Sequence, residues 1–395
     1  MKIKLLIIVT VLIILILSIT NNRSIVDDDY KILLSMFPVD EQGNGLELKA
    51  SIPSQQPMTY GLVLASESLH YKYDKNKESE HRIKNAVNWI TENSDANQDG
   101  NLGWGLPQSF DAFADGTINP ENHSYTITTA IVLDGLMDSL SIDNFWTEAE
   151  EKEIKKIVSE VILYWLKEVY IGDDDIGYLG YSPEPTDMIY TPNVSSMFLS
   201  SLVRIITEHD GIFNESDKQF VLKRTHAIAN KLVNTVHFKE GIPYWDYAEY
   251  LDDREIKTND LVHHIYILWG IEEYRNKFDE VKIPFSKEDS IASVDSFWKE
   301  NRIFFYPQNQ VYIGDLELFN ERPSNLWGTG MMLAFYAKYD YKDKADKTFE
   351  VINNTYGKIP RLTVWPVDYS NNKAFYARYA AHVLFGLSYR DFYNE

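Results

Sequence analysis

Four carboxylates stand where a cleft could use them. Asp111 and Asp115 share the stretch SFDAFADGTINPENHSY, Asp187 lies in PEPTDMIY and Asp246 in PYWDY. Cutting a glycosidic bond needs one carboxylic acid to protonate the leaving oxygen and one carboxylate to activate water or to attack. The expected pair takes one member from Asp111 or Asp115 and the other from Asp187 or Asp246. Lysis or epimerisation of a uronate needs different groups: a base at the sugar carbon and a cation on the carboxylate. His123, Tyr125, Tyr190 and His263 are the candidates for the first task, Arg254 and Arg378 for the second. Adjacent His263 and His264 point in different directions on a helix, so only one of them readily faces a cavity. Flat rings suit the C–H faces of sugars, and Trp104, Phe110, Tyr181, Trp245, Tyr247, Tyr306, Trp365 and Tyr369 all fall in Gly/Pro-rich stretches beside these acids. Asp95, Asn97, Asp99 and Gly100 spell the opening of a calcium loop, with the carbonyl of Asn101 at the seventh position. Leu106 stands at the twelfth, where a bidentate Glu belongs. A structural calcium ion is the weaker reading, an Asx-rich turn the stronger, and no cofactor is required.

These residues need a scaffold, and a repeat supplies it. Segments rich in small, aromatic and aliphatic residues begin near Tyr60, Tyr125, Thr191, Asn259, Asn325 and Phe375, at intervals of 65 to 68 residues and a last one of 50. They are apolar on more than one stripe, as helices covered on several sides must be. Between them run charged segments with aliphatics at i, i+3, i+4 and i+7, which predicts surface helices. Ser216 is a candidate cap for the third of these. Six inner helices alternating with outer ones, closed by a short element near Asp29–Met36, make an all-α (α/α)6 toroid. An open solenoid is the alternative, but its repeats usually run nearer 34–47 residues. The loops leading from each outer helix into the next inner helix all emerge on one face. They are the long, aromatic, acidic ones, while those on the other face, such as KYDKNKE, are short. Function concentrates on loops held by a rigid scaffold.

This pattern resembles the six-hairpin glycosidase-like superfamily, and also the helical domains of uronate lyases and epimerases and of terpenoid cyclases. The likeness is architectural and covers Tyr60 to the C-terminus. It implies a carbohydrate-active protein, with hydrolysis ranked above lysis or epimerisation. A non-catalytic glycan-binding or polysaccharide-assembly protein on the same scaffold is the rival. The acidic runs Asp173–Asp175 and Asp252–Asp253 do not form the diphosphate-binding motifs of the cyclases.

Composition narrows the field. Lys plus Arg number 38 against 59 Asp plus Glu, a net charge of −21, which repels nucleic acid in a chain without a basic run. The absence of cysteine excludes disulfides, thiolate metal sites, a cysteine nucleophile and a lipoprotein anchor. At the start, Lys2 and Lys4 precede an apolar run over residues 3–19, short for a membrane span but suited to a signal anchor. The expected organisation is an anchor over 1–20, an extracytoplasmic connector over 21–58 and the toroid over 59–395. The expected partners are a polysaccharide or oligosaccharide and, through the first helix, the membrane.

Overall fold

A computed structural model describes residues 28–47, 52–249, 259–308, 321–370, 372 and 374–393. The run over 3–19 and Arg254 therefore lie outside the described residues. No described helix is long and apolar enough to cross a membrane.

Six helices form the inner ring: α2 (Pro57–Tyr71), α4 (Thr126–Leu140), α6 (Pro192–Glu208), α8 (Leu261–Lys277), α10 (Leu326–Lys338) and α12 (Ala377–Tyr393). Each packs on the next, and α12 packs on α2, so the ring closes and the open solenoid is excluded. The inner helices are buried almost all round; only Tyr71 of α2 is not fully covered. Three neighbouring pairs approach at small residues. A Cβ on Gly135 would lie 2.5 Å from the Gly61 carbonyl, one on Gly386 2.9 Å from that of Gly330, and one on Gly270 1.8 Å from that of Ser196. No side chain fits there, which is why these helices read as small and aromatic rather than uniformly aliphatic.

The outer helices are α1 (28–34), α3 (Lys77–Glu92), α5 (Glu148–Tyr164), α7 (Glu215–Asn234), α9 (Lys287–Asp295) and α11 (Lys342–Thr355). Their first turns are fixed by side chains that accept otherwise orphaned N–H groups. Asn76 accepts from Ser79, while Thr147 with Glu150 and Ser286 with Asp289 form reciprocal boxes. The third cap is Asn214, accepting from Asp217, not Ser216. α1 is the sixth outer element. Tyr30 stacks on His70 at 4.5 Å and donates to Glu67, and the Phe37 carbonyl accepts from Arg82. The closing element expected near Asp29–Met36 is therefore present, and residues 37–47, assigned by sequence to a connector, pack on the ring as well.

The connections from inner to outer helix are short. Those from outer to inner are long, and three of them are braced by two-stranded antiparallel hairpins: β3 (Tyr170–Gly172) with β4 (Gly177–Leu179), β5 (His237–Lys239) with β6 (Ile242–Tyr244), and β7 (Trp298–Lys299) with β8 (Arg302–Ile303). A fourth hairpin, β1 (Asn44–Gly45) with β2 (Ser54–Gln55), precedes α2. In the first long loop the bridges Gly105–Ser124 and Phe110–Asn119 do the same work. The elaborated loops therefore share the end of the ring where the inner helices begin.

Candidate active site

The site grows from the first turns of the inner helices and the loops that feed them. Asp187 closes a 3-10 turn (Pro185–Asp187) just before α6 and is buried. Its Oδ2 accepts from Asn119 Nδ2 and from Ser182 Oγ, both at 2.7 Å. Ser182 Oγ, already donating to the carboxylate, takes the Nε2–H of His123 at 3.1 Å. Burial raises the Asp187 carboxyl above its ordinary value; the hydrogen bonds from Ser182 and Asn119 and the nearby His123 pull it partly back, and Asp115 adds repulsion. Burial also lowers the His123 imidazole, so it favours the neutral form. One carboxylate oxygen is thus saturated by a fixed donor pair, while burial holds the carboxyl above its ordinary value.

From here an arc of aromatic side chains runs round the mouth. Asn119 also donates to the Tyr125 hydroxyl at 3.1 Å, and Tyr125 meets Tyr181 edge to face at 5.6 Å. Tyr181 meets Phe113 at 5.2 Å, and burial pushes its hydroxyl up to about 12. Phe113, Ile189 and Ala248 form a small apolar cluster against which both Tyr181 and Tyr247 pack. Tyr247 reaches His263 on α8 at 5.2 Å, and His263 meets Trp327 on α10 at 5.8 Å. Arg378, at the start of α12, lies 4.3 Å over the Trp327 ring and donates to Glu47 at 2.8 Å.

Two features fix the geometry of the arc's far half. Asp260 caps α8, accepting from the His263 backbone N–H, and takes the His263 Nδ1–H at 2.9 Å. That leaves Nε2 of His263 as the ring's acceptor. Below it, His382 Nδ1 donates to the Arg378 carbonyl at 2.7 Å, so its Nε2 accepts from Tyr266 at 2.8 Å. Tyr266 in turn accepts from Trp327 Nε1 at 2.7 Å. This directed chain locks the Trp327 rotamer.

The structure gathers Asp187, His123, Tyr125 and Tyr181, with Tyr247, His263 and Arg378 further along the same arc. Other expected residues are engaged in contacts of their own, Asp111 and Asp115 beside this cluster. Asp111 accepts from the N–H groups of Asp115 and Gly116, and Asp115 from that of Thr117, so both carboxylates hold a turn. Asp246 sits beside the β5–β6 hairpin, 3.2 Å from His237. Trp104 and Trp245 are core residues rather than cleft walls, their indoles donating to the Ile90 and Leu232 carbonyls. Tyr190 is likewise buried, bonded to Thr235 with Lys231 over its ring. Trp365 and Tyr369 pack on each other at 5.7 Å, with Arg322 4.8 Å over Trp365. Arg378 is committed to Glu47 and Trp327.

The proposed calcium quartet is a turn. Asp95 accepts from the N–H groups of Asp99 and Gly100, Asp99 from that of Asn101, and Asn97 donates across to the Glu121 carbonyl. Among the described residues no three His, Asp or Glu side chains converge as a metal group. Sequence reasoning missed Asn119, Ser182, Asp260, Trp327 and Glu47. The signal that could have found Asp260 and Trp327 is position: both stand within two residues of an inner helix's start.

A closed ring of six helical hairpins with one elaborated end defines an (α/α)6 toroid. No family model and no curated sequence matches the chain. Solved structures do. D-mannose isomerase aligns with a TM-score of 0.63 at 11% identity, over 93% of this chain and 97% of that one. Cellobiose 2-epimerase from Bacillus thermoamylovorans aligns at 0.60 and 10%, over 91% and 99%. The GH76 alpha-mannanase from Bacteroides thetaiotaomicron aligns at 0.59 and 13%, over 93% and 96%. The chain shares the (α/α)6 toroid fold of these structures.

Proposed function

We propose that the protein is a carbohydrate-active enzyme, a glycoside hydrolase acting on an envelope or extracellular polysaccharide or oligosaccharide. The observation that carries this is Asp187: a buried carboxyl at the mouth, one oxygen pinned by Asn119 and Ser182, raised by burial and set beside an aromatic arc. Asp187 acts as general acid, passing its proton to the leaving glycosidic oxygen. Asp260, oriented by His263, serves as the second carboxylate. Tyr181, Tyr247 and Trp327 offer ring faces and edges to the sugar. The names of the structural neighbours, hydrolases among them, support a sugar substrate. The test is a glycan panel offered to the purified full-length chain, read by reducing-end release and by absorbance of unsaturated uronates. Silence in both with sugar binding retained would leave a non-catalytic glycan-binding protein.

A second reading rests on His263. An imidazole whose Nδ1–H is held by a carboxylate turns its Nε2 away from that partner, the arrangement of a base that removes a proton from carbon. That would make the protein a sugar epimerase or, on a uronate, a lyase. Incorporation of solvent deuterium into recovered sugar separates it from hydrolysis, which leaves C–H bonds intact. We also propose that residues 3–19 anchor the chain with its bulk outside the cytoplasm. Protease accessibility in intact cells and in spheroplasts tests this.

A further inference from the structure

The end of the ring opposite the mouth holds a second hollow, of about 380 Å³. That is within the size range of small-molecule pockets, roughly 300–1,000 Å³. All six inner helices finish on it, and its walls are charged. Arg204 of α6 is nine-tenths buried; it donates to Asp138 at 2.6 Å, with Asp134 at 3.6 Å and Glu208 at 3.4 Å. Lys277 pairs with Glu208 at 3.2 Å. Lys338 pairs with Glu273, its ammonium 4.1 Å over the Trp269 ring. Each carboxylate on the wall is therefore already answered by a cation.

Two further cations stand outside these pairs. Lys72 and Lys287 both line the hollow, and neither has a carboxylate partner among the described residues. Lys72 follows the last turn of α2, where positive charge answers the helix dipole. Lys287 has no such reason. It is the first residue of α9, where the dipole disfavours a cation, and the box between Ser286 and Asp289 already caps that helix. Yet its side chain leans over Tyr339, 5.2 Å from the ring. This happens in a chain of net charge −21. Between this hollow and the mouth the ring is filled by Tyr266, Trp269, Met331 and Phe385, all buried.

We infer that the hollow is a binding site for a small molecule bearing an oxyanion, phosphate or carboxylate, held between Lys72 and Lys287 above the Arg204–Lys338 floor. It is separate from the mouth and does not depend on the function proposed for it. Inorganic phosphate and gluconate are titrated separately into the full-length chain at low salt by calorimetry. One saturable site is expected for at least one probe; phosphate alone marks a phosphate ligand and gluconate alone a carboxylate. Lys287→Gln and Lys72→Gln should each weaken binding about tenfold, and added salt should weaken it further. Lys156→Gln, on the outer face of α5, should bind as the parent does. Failure of both probes to saturate by roughly 10 mM, or unchanged affinity in both lysine variants, overturns the site.

Discussion

Asp187→Asn is the sharpest test of the mouth. The two hydrogen bonds to Asp187 both end on Oδ2, from Asn119 and Ser182 at 2.7 Å. An asparagine can place its carbonyl oxygen there, keep both donors and put its amide where Oδ1 stood. The loss on the folding side is then the difference between charged and neutral acceptors, about 1 kcal/mol per bond and about 2 kcal/mol at most. A carboxyl already raised by burial loses less. The melting temperature should fall by no more than about 5 °C. The chemical loss is far larger, because an amide cannot donate the proton that a leaving oxygen needs. General acid catalysis of this kind is worth roughly 10²–10⁴ in rate, or about 3–5 kcal/mol of barrier. Reducing-end release by the variant, measured beside its circular-dichroism melt, separates the two effects. A folded variant that keeps turnover within about threefold, against the roughly hundredfold minimum expected, refutes Asp187 as the acid.

Other perturbations follow from the same contacts. Ser182→Ala removes a bond that favours the Asp187 carboxylate, so its carboxyl rises further; because the acid works protonated, the basic limb of the pH–rate profile should move to higher pH. Asp134 competes with Asp138 for Arg204, and burial pushes it up to about 7. The folded chain then keeps a proton between about pH 4 and 7 that the unfolded chain releases, so this group's contribution to stability falls as pH rises through that window. His209, His264 and His382, pushed down by burial to about 4, 3 and 3, act in the opposite sense, losing stability as pH falls below about 6.5. Asp134→Asn cancels the histidines in the comparison. It should gain stability on wild type by a few kcal/mol between pH 5 and 8 in urea melts; a constant difference would show Asp134 ionised throughout. Gly270→Ala puts a methyl 1.8 Å from the Ser196 carbonyl. It should cost about 3 kcal/mol or more, and an unchanged melting temperature would deny the close approach of α6 and α8.

The ring was legible because a helix enclosed by neighbours cannot keep a polar face, and six such segments recur, the first five at intervals of 65 to 68 residues. The mouth was half legible. Asp187, Tyr181 and Tyr125 stood out as acids and rings in long loops, and there they are. Trp104 and Trp245 carried the same signature for another reason. Each follows an outer helix and turns its indole back onto that helix's last turn, at Ile90 of α3 and Leu232 of α7. At the helix end those carbonyls otherwise have only the long bonds from the Asn93 N–H and the Thr235 hydroxyl, each at 3.3 Å, so a buried donor there serves folding. Gly and Pro beside a tryptophan mark such a return as well as they mark a binding loop. Asp260 and Trp327 went unseen for the converse reason: one looks like an ordinary helix cap, the other like one more apolar residue of an inner helix.

The same enclosure explains why the two ends differ. Packing needs the middle of the ring to be apolar, and Tyr266, Met331 and Phe385 fill it. Polar chemistry is thereby confined to the ends. At the mouth the inner helices begin, so their first turns offer N–H groups that hold carboxylates such as Asp260. At the base they finish, and their last turns favour cations such as Lys277 and Lys338. A closed ring of parallel inner helices thus favours carboxylates at its first turns and cations at its last turns whatever reaction it hosts, and the acids at the base are each paired with a cation. Lys287 breaks that rule, since its own helix begins where its charge is unwelcome. Acids at the mouth are therefore weaker testimony to catalysis than the pinned, buried oxygen of Asp187, and a lysine at the wrong helix end is stronger testimony to a ligand than any count of positive residues.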